Sequence, residues 1–232
     1  MEWYYYVIII GGSAFAGALN TLAGNGSAIT LTILTELLQL HGNLANGTNR
    51  VGIFMQSLAG SIAFYRNGKL RLDRGGIYIV CTLIGAIIGI IAANLVSSEQ
   101  FKSVFRFLMV LMLLVLLVKP KRWLQATDNQ YQMKIWLTIP AFLALGFYGG
   151  FIQMGMGVFF LAAMVLGARF SIMESNAIKI FVVGLYTLLA IAIFQWNGLI
   201  DWKVGLLMAI GQTTGGWFTA HYASKYPGAD IW

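Results

Sequence analysis

Charged residues are scarce in this chain. Lys, Arg, Asp and Glu make up 10% of its 232 residues, whereas a soluble domain carries about 25% because its surface must be hydrated. Hydrophobic residues make up 59%, and the mean hydropathy is +0.76. Cysteine is scarcer still, since Cys81 is the only one and has no partner for an internal disulfide. These shortages exclude a water-soluble globule, a disordered chain and a disulfide-stapled fold, and they predict an all-α polytopic membrane protein.

Acidic residues are the rarer of the charged ones, and their shortage leaves a net charge of +7. In a soluble protein such an excess would suggest a nucleic-acid partner. Here, eight of the 15 basic residues fall within 66–74 and 119–134, between apolar runs, which is typical of cytoplasmic loops. The charge pattern therefore favours a lipid bilayer as the partner and not nucleic acid.

Catalytic and metal-binding patterns are missing from the sequence. Its two histidines, His41 and His221, are far apart and have no cysteine or carboxylate at metal-ligand spacing. No serine, cysteine or paired-carboxylate arrangement suggests hydrolysis. The sequence therefore predicts neither an enzyme nor a bound cofactor.

Long apolar runs recur along the chain. A bilayer core requires about 20 apolar residues in a helix. Two further apolar segments, 27–40 and 158–168, are shorter and predict re-entrant or buried helices. The pattern predicts about seven to eight full spans plus these two short segments. The runs of spanning length are 3–23, 44–65, 75–96, 101–118, 135–152, 174–196 and 204–222.

The two halves of the chain share the same order of features at an offset near 130 residues, which indicates an internal duplication. We predict a first transmembrane repeat at 1–118, a basic cytoplasmic linker at 119–134 and a second repeat at 135–232. The counterpart of the span at 101–118 would begin near the last residue. The second repeat is therefore expected to lack its last helix in this sequence.

The relative direction of the repeats depends on the two short segments. If these are re-entrant and every longer run crosses, each half crosses four times and the repeats are parallel. If they span the membrane, each half crosses five times and the repeats are inverted. Their short lengths favour the re-entrant, parallel arrangement, and the inverted one stays open.

Two glycine-rich breaks, one in each half, mark the candidate binding site. A Gly-x-Gly inside an apolar stretch breaks the helix and frees backbone groups, which at membrane depth must meet protein, water or a ligand. Interrupted segments at corresponding places in two halves indicate a transporter's binding site, although glycines that only pack helices together are the alternative. The candidate binding residues are Asn20, Thr21, Gly24, Asn25, Gly26, Ser27, Asn49, Arg50, Tyr148, Gln153, Gly155, Gly157, Asn176 and Lys179.

Two cations within apolar spans indicate the sign of the ligand's charge. Arg50 and Lys179 each lie about two turns into a span, at matching positions of the two halves. Because charge inside a membrane is costly, two such cations favour an anion between them. The alternatives are that both snorkel to the membrane interface, or that Glu36 and Glu174 neutralise them. These two carboxylates could instead couple transport to protons.

The residues around both breaks resemble the TauE/SafE sulfite exporter family. In the first half the resemblance lies in GALNTLAGNG at 17–26 and ANGTNR at 45–50. In the second half it lies in GFYGGFIQMGMG at 146–157, NAIK at 176–179 and NGLIDW at 197–202. Both sets fall in order, so the resemblance extends over essentially the whole chain.

This resemblance implies a multi-pass transporter of the bacterial inner membrane that carries sulfite or organosulfonates, with export as the expected direction. The chain departs from the family where Asn25, Ser27 and Gln153 stand at positions usually richer in glycine. An anion channel and an importer of another small oxyanion are alternatives on the same site. A retinal-binding light-driven or sensory protein, with Lys179 forming the Schiff base, is a third. Proton coupling and homo-oligomerisation stay open.

Overall fold

All regular structure that the computed structural model describes, in residues 2–22, 24–72, 75–117 and 134–225, is helical. This confirms the predicted all-α class. Most of the predicted linker lies outside the described residues. Two short helices, Gly26–Thr32 and Met156–Ala162, continue directly into π-helical turns, Ile33–Leu37 and Ala163–Gly167. The helices are α1 (Trp3–Leu22), α2 (Gly26–Thr32), α3 (Gly42–Arg66), α4 (Gly76–Leu95), α5 (Ser98–Leu117), α6 (Ile135–Phe151), α7 (Met156–Ala162), α8 (Ile172–Trp196) and α9 (Trp202–Lys225).

Three helices of the described part of the chain, α1, α4 and α8, are long and apolar enough to cross a membrane. Shorter apolar helices are α6 and the two segments that join α2 and α7 to their π-helical turns. The 25-residue α3 is long enough, but it buries polar side chains such as Asn46, Asn49 and Gln56. Within the described residues, length and composition thus mark three candidate spans, fewer than the seven to eight that the sequence predicts.

Local structure recurs at an offset of 130 residues. Both π-helical turns, and both of the long helices α3 and α8, begin and end at positions 130 apart. Positive φ angles recur in the same way, at Gln39 and Arg169 and at Gly68 and Gly198. This offset aligns Lys179 with Asn49 and leaves Arg50 one residue further along. The two cations therefore occupy neighbouring positions of the pattern, about 100° apart around a helix, and not the same position.

The short helices fold back on the helices that precede them. A Cβ on Gly26, at the start of α2, would lie 1.9 Å from the Ala16 carbonyl oxygen, and one on Gly12 would meet the Ile33 side chain. In the second half the ring of Phe160 in α7 packs edge-on against Phe142, midway along α6. Each break is therefore the tip of a helical hairpin, as expected of a re-entrant segment.

The corresponding helices α3 and α8 run antiparallel. Glycines mark the register: Gly47, early in α3, lies against the Phe194 ring late in α8, and Gly184 lies against Ser57. Two halves whose equivalent helices run in opposite directions do not fit the parallel arrangement that the sequence favoured. That expectation is wrong because it counted the helix before each break as a full crossing. The hairpin brings the chain back toward the side from which it started.

Helices from opposite halves interlock through glycines. Gly85 and Gly89 of α4 face carbonyl oxygens of α6, and Gly146 and Gly150 of α6 face carbonyl oxygens of α4. A Cβ at any of the four would lie 2.0–2.1 Å from such an oxygen. Close backbone approach through small residues is the usual packing of membrane helices. Helices α1 and α9 pack in the same way, with Gly215 against the Ala14 carbonyl.

Candidate functional site

The two glycine breaks meet in the interior. A Cβ on Gly24 would lie 2.3 Å from Gly157 Cα, and a Cβ on Gly157 would lie 2.4 Å from Gly24 Cα. Gly24 also has φ +77°, a left-handed conformation that glycine adopts without a steric penalty. Both positions require glycine because the two backbones are in contact there, which leaves no room for a Cβ.

Lys179 of α8 holds the end of α1 from the opposite half. Its Nζ donates to the carbonyl oxygens of Asn20 (3.1 Å) and Thr21 (3.3 Å). The last carbonyls of a helix have no partner within it and carry partial negative charge. A buried ammonium in this place satisfies both needs.

Arg50 of α3 does the same for the end of α6. Its guanidinium donates to the carbonyl oxygens of Gly150 (2.7 Å) and Gly149 (3.1 Å). Asn46, one turn earlier, accepts from Arg50 (3.4 Å) and donates to the Phe151 carbonyl (3.0 Å). Each half of the chain thus contributes a cation that binds the broken helix of the other half.

Neither cation has a carboxylate partner within the described residues. The polar contacts of Arg50 and Lys179 there are all to carbonyl and amide oxygens. Glu174 accepts from Ser171 in a capping box, and Glu36 is exposed, so the expectation that they neutralise the cations is wrong. Snorkelling is wrong as well, because Arg50 is 0% and Lys179 2% exposed.

A small cavity lies where the two breaks meet. Its volume is about 20 Å³, which is enough for one water molecule. A sulfur oxyanion has at least four heavy atoms, so it enters only when the surrounding groups move apart. A retinal does not fit this space at all. The lining residues are Asn20, Gly24, Ile53, Gln56, Ser57, Gln153, Met156, Gly157, Lys179, Ile180 and Val183.

Comparison with known families identifies the chain. Residues 9–231 match the family model described as Sulfite exporter TauE/SafE. The chain belongs to this family. It is therefore a multi-pass membrane protein of a transporter family and not of an enzyme family.

Individual relatives are distant but cover most of both chains. The Sinorhizobium "Probable membrane transporter protein ORF9" is 26% identical over 209 residues, or 90% of this chain and 79% of the relative. "Probable membrane transporter protein YfcA" of Escherichia coli K12 is 25% identical, over 86% and 74%. "Probable membrane transporter protein YunE" of Bacillus subtilis is 25% identical, over 92% and 85%. No solved structure shows significant similarity to this chain.

Five of the predicted binding residues of this TauE/SafE chain line the cavity, and three others form hydrogen bonds with side chains that line it. Those that line it are Asn20, Gly24, Gln153, Gly157 and Lys179. The supporting contacts are those of Ser27 with the Asn20 side chain, Thr21 with Gln56, and Arg50 with Gln153.

The other predicted residues lie apart from the cavity wall. Tyr148 donates to the Met154 carbonyl, and Asn49 accepts from Gln212. Asn25 and Gly155 precede the first residues of α2 and α7, and Gly26 packs against Ala16. Asn176 is buried, and both of its amide atoms lack a partner within the described residues.

Two polar lining residues, Gln56 and Ser57 of α3, were not predicted. Unlike the predicted residues, they are neither near a break nor next to an intramembrane cation in the sequence. The helical period supplies the missing signal: Asn49, Ile53 and Gln56 share one face of α3, as do Arg50 and Ser57. Polar residues at that spacing after an intramembrane cation indicate the same buried wall.

Proposed function

We propose that this chain carries small sulfur-containing anions, sulfite or organosulfonates, across the bacterial inner membrane by alternating access, with export as the direction. The observation that carries the proposal is the pair of buried cations, Arg50 and Lys179, that have only neutral oxygens as partners in the described part of the chain. Uncompensated positive charge inside a membrane is costly. An anion bound between the breaks supplies the compensating charge.

Lys179 is the direct contact for the anion in this proposal. Lys179 already lines the cavity, and the present partners of its Nζ are the neutral carbonyls of Asn20 and Thr21. A charged oxyanion forms a stronger hydrogen bond with an ammonium than a neutral carbonyl does. An arriving anion therefore binds the third N–H of Lys179 and competes with these carbonyls, which loosens the end of α1. Arg50, which does not line the cavity, contributes charge from behind Gln153.

The hydrogen bonds between the two halves suggest how alternating access would work. We take 1–118 and 135–232 as inverted repeats joined by a cytoplasmic linker at 119–134. Inverted repeats with broken helices at their interface are a common transporter design, in which one repeat moves against the other. Bonds that cross between the halves, such as those of Lys179, would break as one side opens.

The test is transport by the purified full chain in liposomes. We expect labelled sulfite to enter vesicles preloaded with unlabelled sulfite, with proton gradients of either sign applied to reveal coupling. Lys179→Met removes the ammonium and keeps the length of the side chain, so counterflow should fall at least tenfold. Lys203→Met, at an exposed position of α9, is the matched control and should leave counterflow unchanged.

The outcomes separate the candidate functions. Accumulation driven by counterflow supports a transporter, whereas gradient dissipation without counterflow indicates an anion channel. Transport restricted to an oxyanion without sulfur indicates a carrier of another substrate. Failure to transport any sulfur oxyanion or organosulfonate, with the chain folded, would refute the proposal.

A further inference from the structure

The amide oxygens around the cavity are already engaged. Asn20 Oδ1 accepts from the backbone N–H of Ser27 at 3.3 Å, and Gln56 Oε1 accepts from Asn20 Nδ2 at 3.4 Å. Gln153 Oε1 accepts from Arg50 at 2.5 Å. The amide oxygens of these three side chains are therefore held by the protein itself.

The groups left without a partner in the described residues are donors. Gln153 Nε2 makes no hydrogen bond there, and Lys179 uses only two of its three N–H groups. The hydroxyl of Ser57, which also lines the cavity, has no partner among the described residues and can donate as well as accept. All three side chains are at least nine-tenths buried and line the cavity. The polar wall thus offers positive charge and N–H or O–H groups to a ligand.

Arg50 determines which end of the Gln153 amide faces the cavity. A guanidinium has donors only, so the amide must present its oxygen to Arg50 and turn its NH₂ group away. Gln153 is also held in place by its backbone, which follows α6 with φ +65°. A non-glycine residue in this conformation is kept there by its surroundings. Gln153 is therefore a fixed donor.

We propose that Gln153, oriented by Arg50, makes the cavity selective for small anions that carry no ammonium group. An aminosulfonate would bring its own N–H groups into a wall whose amide oxygens are all engaged. An unpaired buried donor of this kind lowers affinity by about tenfold or more. The inference rests on the proposed function, since it assigns the substrate class of the same site.

The test compares two ligands of nearly equal size, 2-hydroxyethanesulfonate and 2-aminoethanesulfonate. Each competes with labelled sulfite for counterflow by the full chain in liposomes. We expect the hydroxyl compound to compete at least tenfold more strongly than the amino compound. Equal competition by the two in the wild-type chain overturns the inference and leaves the proposed function standing. Absence of any sulfite or sulfonate transport would instead mean that the proposed function fails.

Two variants assign the selectivity to Gln153. Gln153→Glu replaces the NH₂ donor by an acceptor oxygen and keeps the contact with Arg50, so the preference for the hydroxyl compound should shrink or reverse. Gln153→Met removes both the NH₂ group and the oxygen of the amide, so it should weaken the binding of both ligands to the same extent. A merely structural role would lower transport without changing how strongly the hydroxyl compound competes relative to the amino compound. If that ratio is unchanged in folded Gln153→Glu, the assignment to Gln153 is overturned. The wild-type comparison decides the selectivity itself even where a variant does not fold.

Discussion

Gly24 and Gly157 lie backbone against backbone, one at each of the two helix breaks. A Cβ on either residue would come within 2.4 Å of the other's Cα. The contact joins the tips of two hairpins that come from opposite halves of the chain. Lys179 lies beside it, since its Cδ would be 3.2 Å from a Cβ on Gly157. Any motion that opens the site on one side must alter this contact.

Gly157→Ala is expected to force the two breaks apart. Gly157 lies within α7 and has no positive φ, so the substitution tests the contact without backbone strain. Overpacking of this kind costs about 1–3 kcal/mol. Sulfite counterflow in liposomes should fall, and the thermal unfolding temperature in detergent should drop. Gly11→Ala is the control, because a Cβ there meets nothing within 4 Å. If both variants had the same counterflow and unfolding temperature, neither transport nor stability would depend on the contact between the hairpin tips.

Arg50→Lys is expected to destabilise the chain although it keeps the charge. A single ammonium cannot reproduce the fork that reaches Gly149, Gly150 and Gln153. Each buried carbonyl left without a donor costs about 1–3 kcal/mol. Unfolding temperature and counterflow should both decrease. Arg106→Lys, on the exposed side of α5, is the matched control and should change neither. A stable, fully active Arg50→Lys would mean that charge alone matters there.

The sequence located both breaks and both buried cations, because a glycine or a charge in an apolar run stands out locally. It did not show what the cations bind. Arg50 and Lys179 reach carbonyls 99 and 159 positions away along the chain, and a carbonyl belongs to every residue, so no side-chain pattern marks these contacts. Carboxylates, which are visible in a sequence, were the natural but wrong partners.

The directions of the helices were also beyond the sequence. The length of α1 suggested a full crossing, whereas the packing of Gly26 against Ala16 and of Gly12 against Ile33 shows that the chain turns back. The expectation that Arg50 and Lys179 occupy the same position of the two halves was wrong for a related reason. Similarity was judged on charge, whereas the recurrence of the helix ends and of the φ angles aligns Lys179 with Asn49. One residue of register changes the side of the helix from which a side chain projects.

Gly85→Ala is expected to loosen the packing of α4 against α6. The added Cβ would lie 2.0 Å from the Leu143 carbonyl oxygen, so the helices must separate. We expect a loss of about 1–3 kcal/mol, measured as a lower unfolding temperature in detergent. Gly76→Ala in the same helix meets nothing within 4 Å and should be neutral or slightly stabilising, since alanine favours helix more than glycine does. If both variants lowered stability equally, helix propensity and not close approach would govern this interface.

Asn67 and Asn197 are expected to lie on opposite sides of the membrane. They end α3 and α8 in the same way, each donating from its side-chain amide to the carbonyl four residues earlier, at 2.9 and 2.8 Å. Because α3 and α8 run antiparallel, these matching turns lie at opposite ends of the molecule. Because basic residues follow Asn67, we expect its turn to lie on the cytoplasmic side. Cys81, the only cysteine, is buried and can be removed by Cys81→Ser to give a background for labelling.

In that background, Asn67→Cys and Asn197→Cys form a matched pair. A membrane-impermeant maleimide added to intact cells should label the cysteine at position 197 and not the one at position 67. Permeabilised cells should show both labelled, which controls for accessibility of the thiols. Parallel repeats would place the two turns on the same side, so labelling of both, or of neither, in intact cells would contradict the inverted arrangement. Labelling of position 67 alone would preserve the inverted arrangement and reverse the assigned orientation in the membrane.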